Sequence, residues 1–169
     1  MGDGVSGAAG AGAAAGRPVV GILTGSASDL PTMQQASAIL DKLEIPNEIN
    51  VISAHRNPDQ LDEYARLAEE RGLQVIICGA GVAAHLAGAV AARTVLPVIG
   101  VPIGTKYLGG ADALYSTVQM PRGVPVATVA IDGAVNGALL AAQILGVGDE
   151  SVRVRLRRFR EDLAEGLRL

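Results

Sequence analysis

Short runs rich in Val and Ile, each followed by a polar or glycine-bearing loop and then a helix-forming segment, recur along this chain and leave few folds open to it. The runs cover residues 18–24, 48–53, 73–78, 97–101 and 126–131. They are short and largely continuous in apolar character, as strands covered on both faces must be. Helical patterns fill 30–43, 58–71, 83–93, 111–120 and 135–145, and a last segment, 150–167, holds most of the C-terminal charge. In the first helix Met33, Ala36, Leu40 and Leu43 keep the three-and-four spacing of one buried face, with Pro31 in the first turn and Asp29 placed to cap it. Leu61, Tyr64, Ala65 and Ala68 make a similar stripe in the second. Strand and helix in alternation give a parallel sheet with right-handed crossovers. The expected fold is α/β: a single doubly wound three-layer domain on a five-stranded parallel sheet of flavodoxin-like order, plus a C-terminal helix.

The organisation follows from composition. Residues 1–17 form a Gly/Ala-rich segment with little to bury, expected to be a flexible tail. Residues 18–148 form the α/β domain, and 149–169 a helix packing on that domain or on a neighbouring subunit. Val152, Leu156, Phe159 and Leu163 give this last helix an apolar side, and Arg153, Arg155, Arg157, Arg158 and Arg160 a basic one, solvated or docked on a neighbour. The stretches 83–92 and 134–146 are unusually small-sided, which suits close backbone approach inside the fold or across a subunit boundary.

Several function classes fall away. A formal net charge of −3 argues against a nucleic-acid footprint, and aromatics at 2% with no Trp leave no stacking platform for single strands. The one cysteine, Cys78, cannot form an internal disulfide and reads as a small core residue; no metal-type Cys/His spacing is present. No apolar run reaches the ~18 residues of a membrane span, and the first residues lack the pattern of a secretory signal. The expected location is cytoplasmic.

The loops after the first three runs carry the polar chemistry. Gly25-Ser26-Ala27-Ser28-Asp29 brings hydroxyls and opening-helix N–H groups together, the ordinary physics of a phosphate site, while Asp29 is either a ribose acceptor or simply a cap. Ser53-Ala54-His55-Arg56 adds a guanidinium fork suited to phosphate and a histidine, which is either functional or bonded to backbone. The stretch 79–84 matches a loose dinucleotide pattern, GxGxxA, but no carboxylate ends the next strand, so a turn that brings N–H groups to a small anion or carboxylate fits better. His85 is expected one turn into the following helix. Both histidines of the chain therefore fall after strand ends, where open α/β sheets bind ligands. A compact phosphorylated ligand is the shared inference.

With these loops stand 97–102 (PVIGVP) and 112–121 (DALYSTVQMP). In this order and spacing, from about Val19 to Leu145, the set resembles the N5-carboxyaminoimidazole ribonucleotide mutase family of purine biosynthesis. Arg56 and the Ala83-Ala84-His85 ending resemble its bacterial branch; animal-type relatives that use free CO2 carry Ser-Ala-His-Lys. The resemblance implies movement of a carboxylate from the exocyclic nitrogen to the ring carbon of an aminoimidazole ribonucleotide, with no metal, ATP or organic cofactor. It implies His55 as proton shuttle, and Ser26, Ser28, Asp29, Ser53, Ala54 and Arg56 as nucleotide-binding positions. His85 and the third loop, with Gly81, Ala83, Ala84 and Leu86, would wall the carboxylate and CO2. It also implies a homo-octamer and functional coupling to an ATP-dependent synthetase that makes the substrate. Asn57, Val82 and Ala87 stand where the family has threonine, glycine and proline; Val82 is expected to narrow the CO2 pocket or slow the reaction. A direct CO2-dependent carboxylase and a non-catalytic nucleotide-binding module are the alternative readings.

Overall fold

The computed structural model describes residues 10–11 and 16–168. Its strands are β1 Gly10–Ala11, β2 Val20–Thr24, β3 Asn47–Val51, β4 Val75–Gly81, β5 Val98–Ile103 and β6 Ala127–Thr128. The helices are α1 Leu30–Lys42, α2 Pro58–Arg66, α3 Leu86–Ala91, α4 Ala111–Val118, α5 Ala134–Gly146 and α6 Glu150–Ala164. They share one six-stranded sheet of order β1-β3-β2-β4-β5-β6. Strands β2 to β6 are parallel and β1 is antiparallel to β3. The parallel strands thus stand in flavodoxin-like order, and the chain reverses its winding direction between β2 and β4, where such folds open a crevice.

The sheet departs from expectation at its edges. Gly10 and Ala11 pair with Ile49 and Glu48, so part of the segment read as a tail joins the sheet as a sixth strand. The rest of the tail read in 1–17, residues 1–9 and 12–15, lies outside the described residues. At the other edge only Ala127 and Thr128 of the 126–131 run pair with β5. Helix α2 stops at Arg66 rather than 71, because residues 67–72 close in turns that end on Gly72 at φ 88°.

Alternation along the strands sends successive residues to opposite faces and builds two cores. Val20, Ile22, Ile77, Ile99 and Val101 pack with Met33, Leu40, Ala138, Ala141 and Phe159 of α1, α5 and α6. Leu23, Ile76 and Cys78 pack with Leu61, Tyr64, Leu86 and Val90 of α2 and α3. The small side chains of α5 are consumed inside the fold, since a Cβ on Gly137 would meet Val101 and Ile77 side chains at 3.2 and 3.5 Å. Burial pushes the Cys78 thiol far up, which keeps it protonated as a core residue.

A charged group is buried on the α2 face. Glu48 on β3 accepts a hydrogen bond from Tyr64 Oη at 2.7 Å and a second from the Arg71 guanidinium, so its carboxylate is partnered where water is excluded. Gly21 on β2 makes room for this, because a Cβ there would lie 2.3 Å from the Tyr64 hydroxyl oxygen.

Helix α6 packs on α5 and sinks Phe159 to 3% exposure, with Lys42 Nζ 5.5 Å from its ring centre. Asp149 caps it by accepting the N–H groups of Ser151 and Val152. Replacing Phe159 by Ala should lower unfolding free energy by about 3–5 kcal/mol in urea titration; a loss under about 1 kcal/mol would mean that α6 is not part of the packed core.

Candidate functional site

Beyond the carboxyl ends of β2, β3 and β4 lies a cleft of about 340 Å³, within the range of small-molecule sites. Gly25, Ser26, Asp29, Ser53, Ala54, His55, Arg56, Ala80, Gly81, Ala83 and Leu86 line it. The three sequence loops that carry polar chemistry therefore meet at one place.

The first loop is shaped by its own hydroxyls. Thr24 Oγ1 donates to the Ser26 carbonyl at 3.1 Å, and Ser26 Oγ accepts the Ser28 N–H at 3.3 Å, capping a short turn over Ala27–Asp29 that feeds α1. Asp29 occupies the N-cap position of α1 but makes no side-chain cap bond. Its Oδ1 instead accepts from Ser28 Oγ at 3.0 Å, which leaves a carboxylate at the cleft whose role is not capping. Ser28 itself does not line the cleft, and its hydroxyl oxygen lies 2.9 Å from that of Ser26.

The second loop staples itself to the first. Arg56 donates from Nε to Ser53 Oγ at 3.2 Å and from Nη2 to the Gly25 carbonyl at 3.1 Å. The guanidinium is thus held at the rim by protein acceptors on two loops while its remaining donors are available to an anion.

The third loop differs from its sequence reading. Strand β4 continues through Gly79 and Ala80 to Gly81, so the glycines belong to a strand rather than to a phosphate-type turn. Gly79 is needed there for space: a Cβ would lie 2.3 Å from Met33 Sδ of α1. The turn itself is Val82–His85, held by the Ala84 N–H to the Val82 carbonyl at 3.0 Å and the His85 N–H to the Ala83 carbonyl at 2.9 Å. Helix α3 begins only at Leu86, which puts His85 at its N-cap instead of one turn inside.

That displacement brings the histidines together. His55 Nε2 and His85 Nδ1 lie 2.9 Å apart, with ring centres at 5.0 Å and planes at 89°. One nitrogen must donate and the other accept, so the two rings share a proton position. His85 meets the site through His55 rather than lining the cleft, and Ala84, buried at 2% exposure, does not line it either.

Val82 stands in the left-handed region at φ 55°, a costly conformation for a β-branched residue. Its side chain is half exposed and does not line the cleft, contrary to the expectation that it narrows a pocket. Gly25 and Ala80 also line the cleft; the sequence put both in the polar loops but did not mark them as binding positions. Recognising that the 73–78 run continues as strand would have found Ala80, since it then falls on the same face as Cys78. Among the described residues no His, Cys, Asp or Glu cluster is arranged to hold a metal ion.

Known proteins resemble this chain over most of its length. The AIR carboxylase family model matches residues 19–166. An N5-carboxyaminoimidazole ribonucleotide mutase of Pyrococcus abyssi is 57% identical over 148 residues, 88% of this chain and 85% of its own. A phosphoribosylaminoimidazole carboxylase of Schizosaccharomyces pombe is 53% identical over 88% of this chain, which corresponds to 27% of the fungal protein. The crystal structure of Treponema denticola PurE superimposes with a TM-score of 0.79 at 30% identity, covering 88% of this chain and 93% of that one.

Val82 yields a stability prediction. Replacing it by Gly removes a left-handed penalty of about 1–2 kcal/mol and adds an unfolded-state cost of about 0.4–1 kcal/mol. A modest rise in melting temperature is expected in calorimetry, whereas a fall would show that the valine side chain contributes packing that outweighs its strain.

Proposed function

The chain belongs to the AIR carboxylase family, and from that premise we propose that it converts N5-carboxyaminoimidazole ribonucleotide to 4-carboxyaminoimidazole ribonucleotide in purine biosynthesis. The observation that carries the reading is the His55–His85 contact beside Arg56 and Ser53 at one rim of a nucleotide-sized cleft.

The phosphate end belongs to Ser26, Ser53 and Arg56, with the N–H groups opening α1 adding a favourable dipole. Asp29, free of capping duty, accepts from the ribose hydroxyls. Ser28 orients Ser26 and Asp29 rather than touching substrate. Ala54, Gly81, Ala83 and Leu86 bound the base and the reacting carboxylate, and Ala84 supports that wall from below.

The chemistry closes on one borrowed proton. The bond between the exocyclic nitrogen and its carboxylate breaks, releasing CO2, and His55 gives the nitrogen a proton. The ring carbon then attacks the retained CO2, forming the new carbon–carbon bond, and His55 takes the proton that this carbon sheds. Nothing is oxidised or reduced, so the balance requires neither a redox cofactor nor ATP. Positioned acid–base groups of this kind give typically ~10²–10⁴-fold, and keeping CO2 beside the ring adds an effective-concentration gain. His85, bonded to His55, holds the shuttle's ring in one orientation through both transfers. Because Val82 does not line the cleft, its presence gives no reason to read the protein as a binding module without chemistry.

Assembly as a homo-octamer fits the exposure of Tyr107, Leu108 and Tyr115, apolar surface that a lone subunit leaves in water. Coupling to an ATP-dependent synthetase is favoured by the fungal relative, in which a region like this chain is one part of a longer protein. A cytoplasmic location follows from the pathway, and no helix among the described residues is long and apolar enough to cross a membrane.

The direct test is incubation with N5-carboxyaminoimidazole ribonucleotide, with product expected well above the spontaneous rate; folded protein giving none would sink the assignment. Product from aminoimidazole ribonucleotide at low bicarbonate would instead favour the carboxylase. His55→Asn should abolish turnover while calorimetry still detects nucleotide binding, and undiminished turnover would remove His55 from the mechanism. Arg56→Ala should weaken nucleotide binding by roughly tenfold or more, from the ~1.5–3 kcal/mol of a charge-assisted bond; unchanged affinity would take the phosphate away from this loop.

A further inference from the structure

The loops after β5 and β6 line no part of the cleft, yet each is fixed to its neighbour along the same edge of the sheet. Asp132, in the left-handed region at φ 56°, accepts the Gly104 N–H at Oδ1 over 2.8 Å, and its own N–H goes to the Pro102 carbonyl at 2.8 Å. Gly104 has no room for a side chain, since a Cβ would lie 2.7 Å from Asp132 Oδ2. The next residue, Thr105, limits the room at Gly81, where a Cβ would lie 3.0 Å from Thr105 Cγ2 and 3.4 Å from the Ile103 carbonyl oxygen. Gly81 lines the cleft, pairs in register with Ile103, and leads directly into the turn that delivers His85. Thr105 Oγ1, meanwhile, is buried without a hydrogen-bond partner. Burying an unpaired hydroxyl is unfavourable, as is left-handed backbone at a non-glycine residue, and unfavourable features held at such places point to a demand beyond packing.

We propose that Asp132 and Thr105 are positioning residues, forming a brace through Gly104 that sets how far Gly81 and the Val82–His85 turn advance toward His55. Taking its catalytic readout from the mutase reading, the brace acts on the reacting end of the cleft. The phosphate and ribose end, built by the loops after β2 and β3, lies outside its reach. Disturbing it therefore changes kcat while leaving KM for the nucleotide close to its original value, a split that general loss of folded protein does not produce in the same way.

The test compares Gly81→Ala, Thr105→Ser, their combination, Asp132→Ala and Asp132→Asn by kcat, KM and melting temperature. Gly81→Ala should lower kcat by roughly tenfold or more, as displacement of a reacting group does; because Gly81 itself lines the cleft, KM is read in the Asp132 variants, where it should stay within about twofold. Thr105→Ser deletes Cγ2 and keeps the hydroxyl, so the double variant should turn over at least about threefold faster than Gly81→Ala alone. Asp132→Ala should lower kcat, and Asp132→Asn, which retains an Oδ1 acceptor for Gly104, should keep most of it. A double variant equal to the product of its singles overturns the brace, as does an Asp132→Ala variant that loses melting temperature with kcat intact. Should Gly81→Ala fail to fold, the Asp132 pair decides alone. A wild-type protein without turnover overturns the mutase reading instead. The imidazole nitrogen signals of His55 and His85 then read the brace by NMR, moving in Asp132→Ala but not in Asp132→Asn; signals unmoved in both overturn it.

Discussion

Both faces of a parallel sheet must be covered, and that requirement organises this molecule. Every connection between parallel strands has to travel back over a face as a helix, so the carboxyl ends of β2 to β6 all open at one edge. Polar residues that would be costly inside the layers collect in the loops there. The cleft forms where the winding direction reverses between β2 and β4, because the helices on either side leave a gap at that point. Ser26, Ser53, Arg56 and the paired histidines are neighbours because topology delivers them to one edge, although up to 59 residues of sequence separate them.

Layering at short range makes small residues the second controlling element. With four aromatic residues in the whole chain, helices approach the sheet closely instead of standing off on large rings. Gly79 beneath Met33 and Gly137 above Val101 and Ile77 mark the nearest approaches on one face, and Gly21 beneath Tyr64 marks one on the other. Close packing also makes displacement propagate, since a well-filled interior has little slack to absorb it. The same tightness that lets Glu48 keep its hydrogen-bond partners in the core lets a contact at Gly104 bear on the wall of the cleft.

Much of this was legible in the sequence because period and punctuation act locally. Runs of Val and Ile declared the parallel strands, and the stripe through Met33, Ala36 and Leu40 declared the buried side of α1. Loop composition brought His55, Arg56 and Ser53 forward before any geometry was known. What stayed hidden was decided by backbone shape and by distant partners. The valine at position 82 takes a left-handed conformation that residue preferences argue against, and α3 starts only at Leu86, with His85 at its N-cap. Gly79 and Gly81 looked like a turn, whereas pairing with Thr24, Val101 and Ile103, far away in sequence, makes them strand residues, and Met33 and Thr105 crowd them. Gly10 and Ala11 carry no pattern of their own; the unpaired edge of β3 recruits them.

The two ends of the sheet have a further implication. Among the described residues both terminate in strands of two residues, β1 at one side and β6 at the other. An edge this short offers too few unpaired backbone groups to template another strand, which is how natural sheets avoid growing sideways into aggregates. Self-association of this chain is therefore channelled to side chains on helices and loops, where contacts are specific and countable.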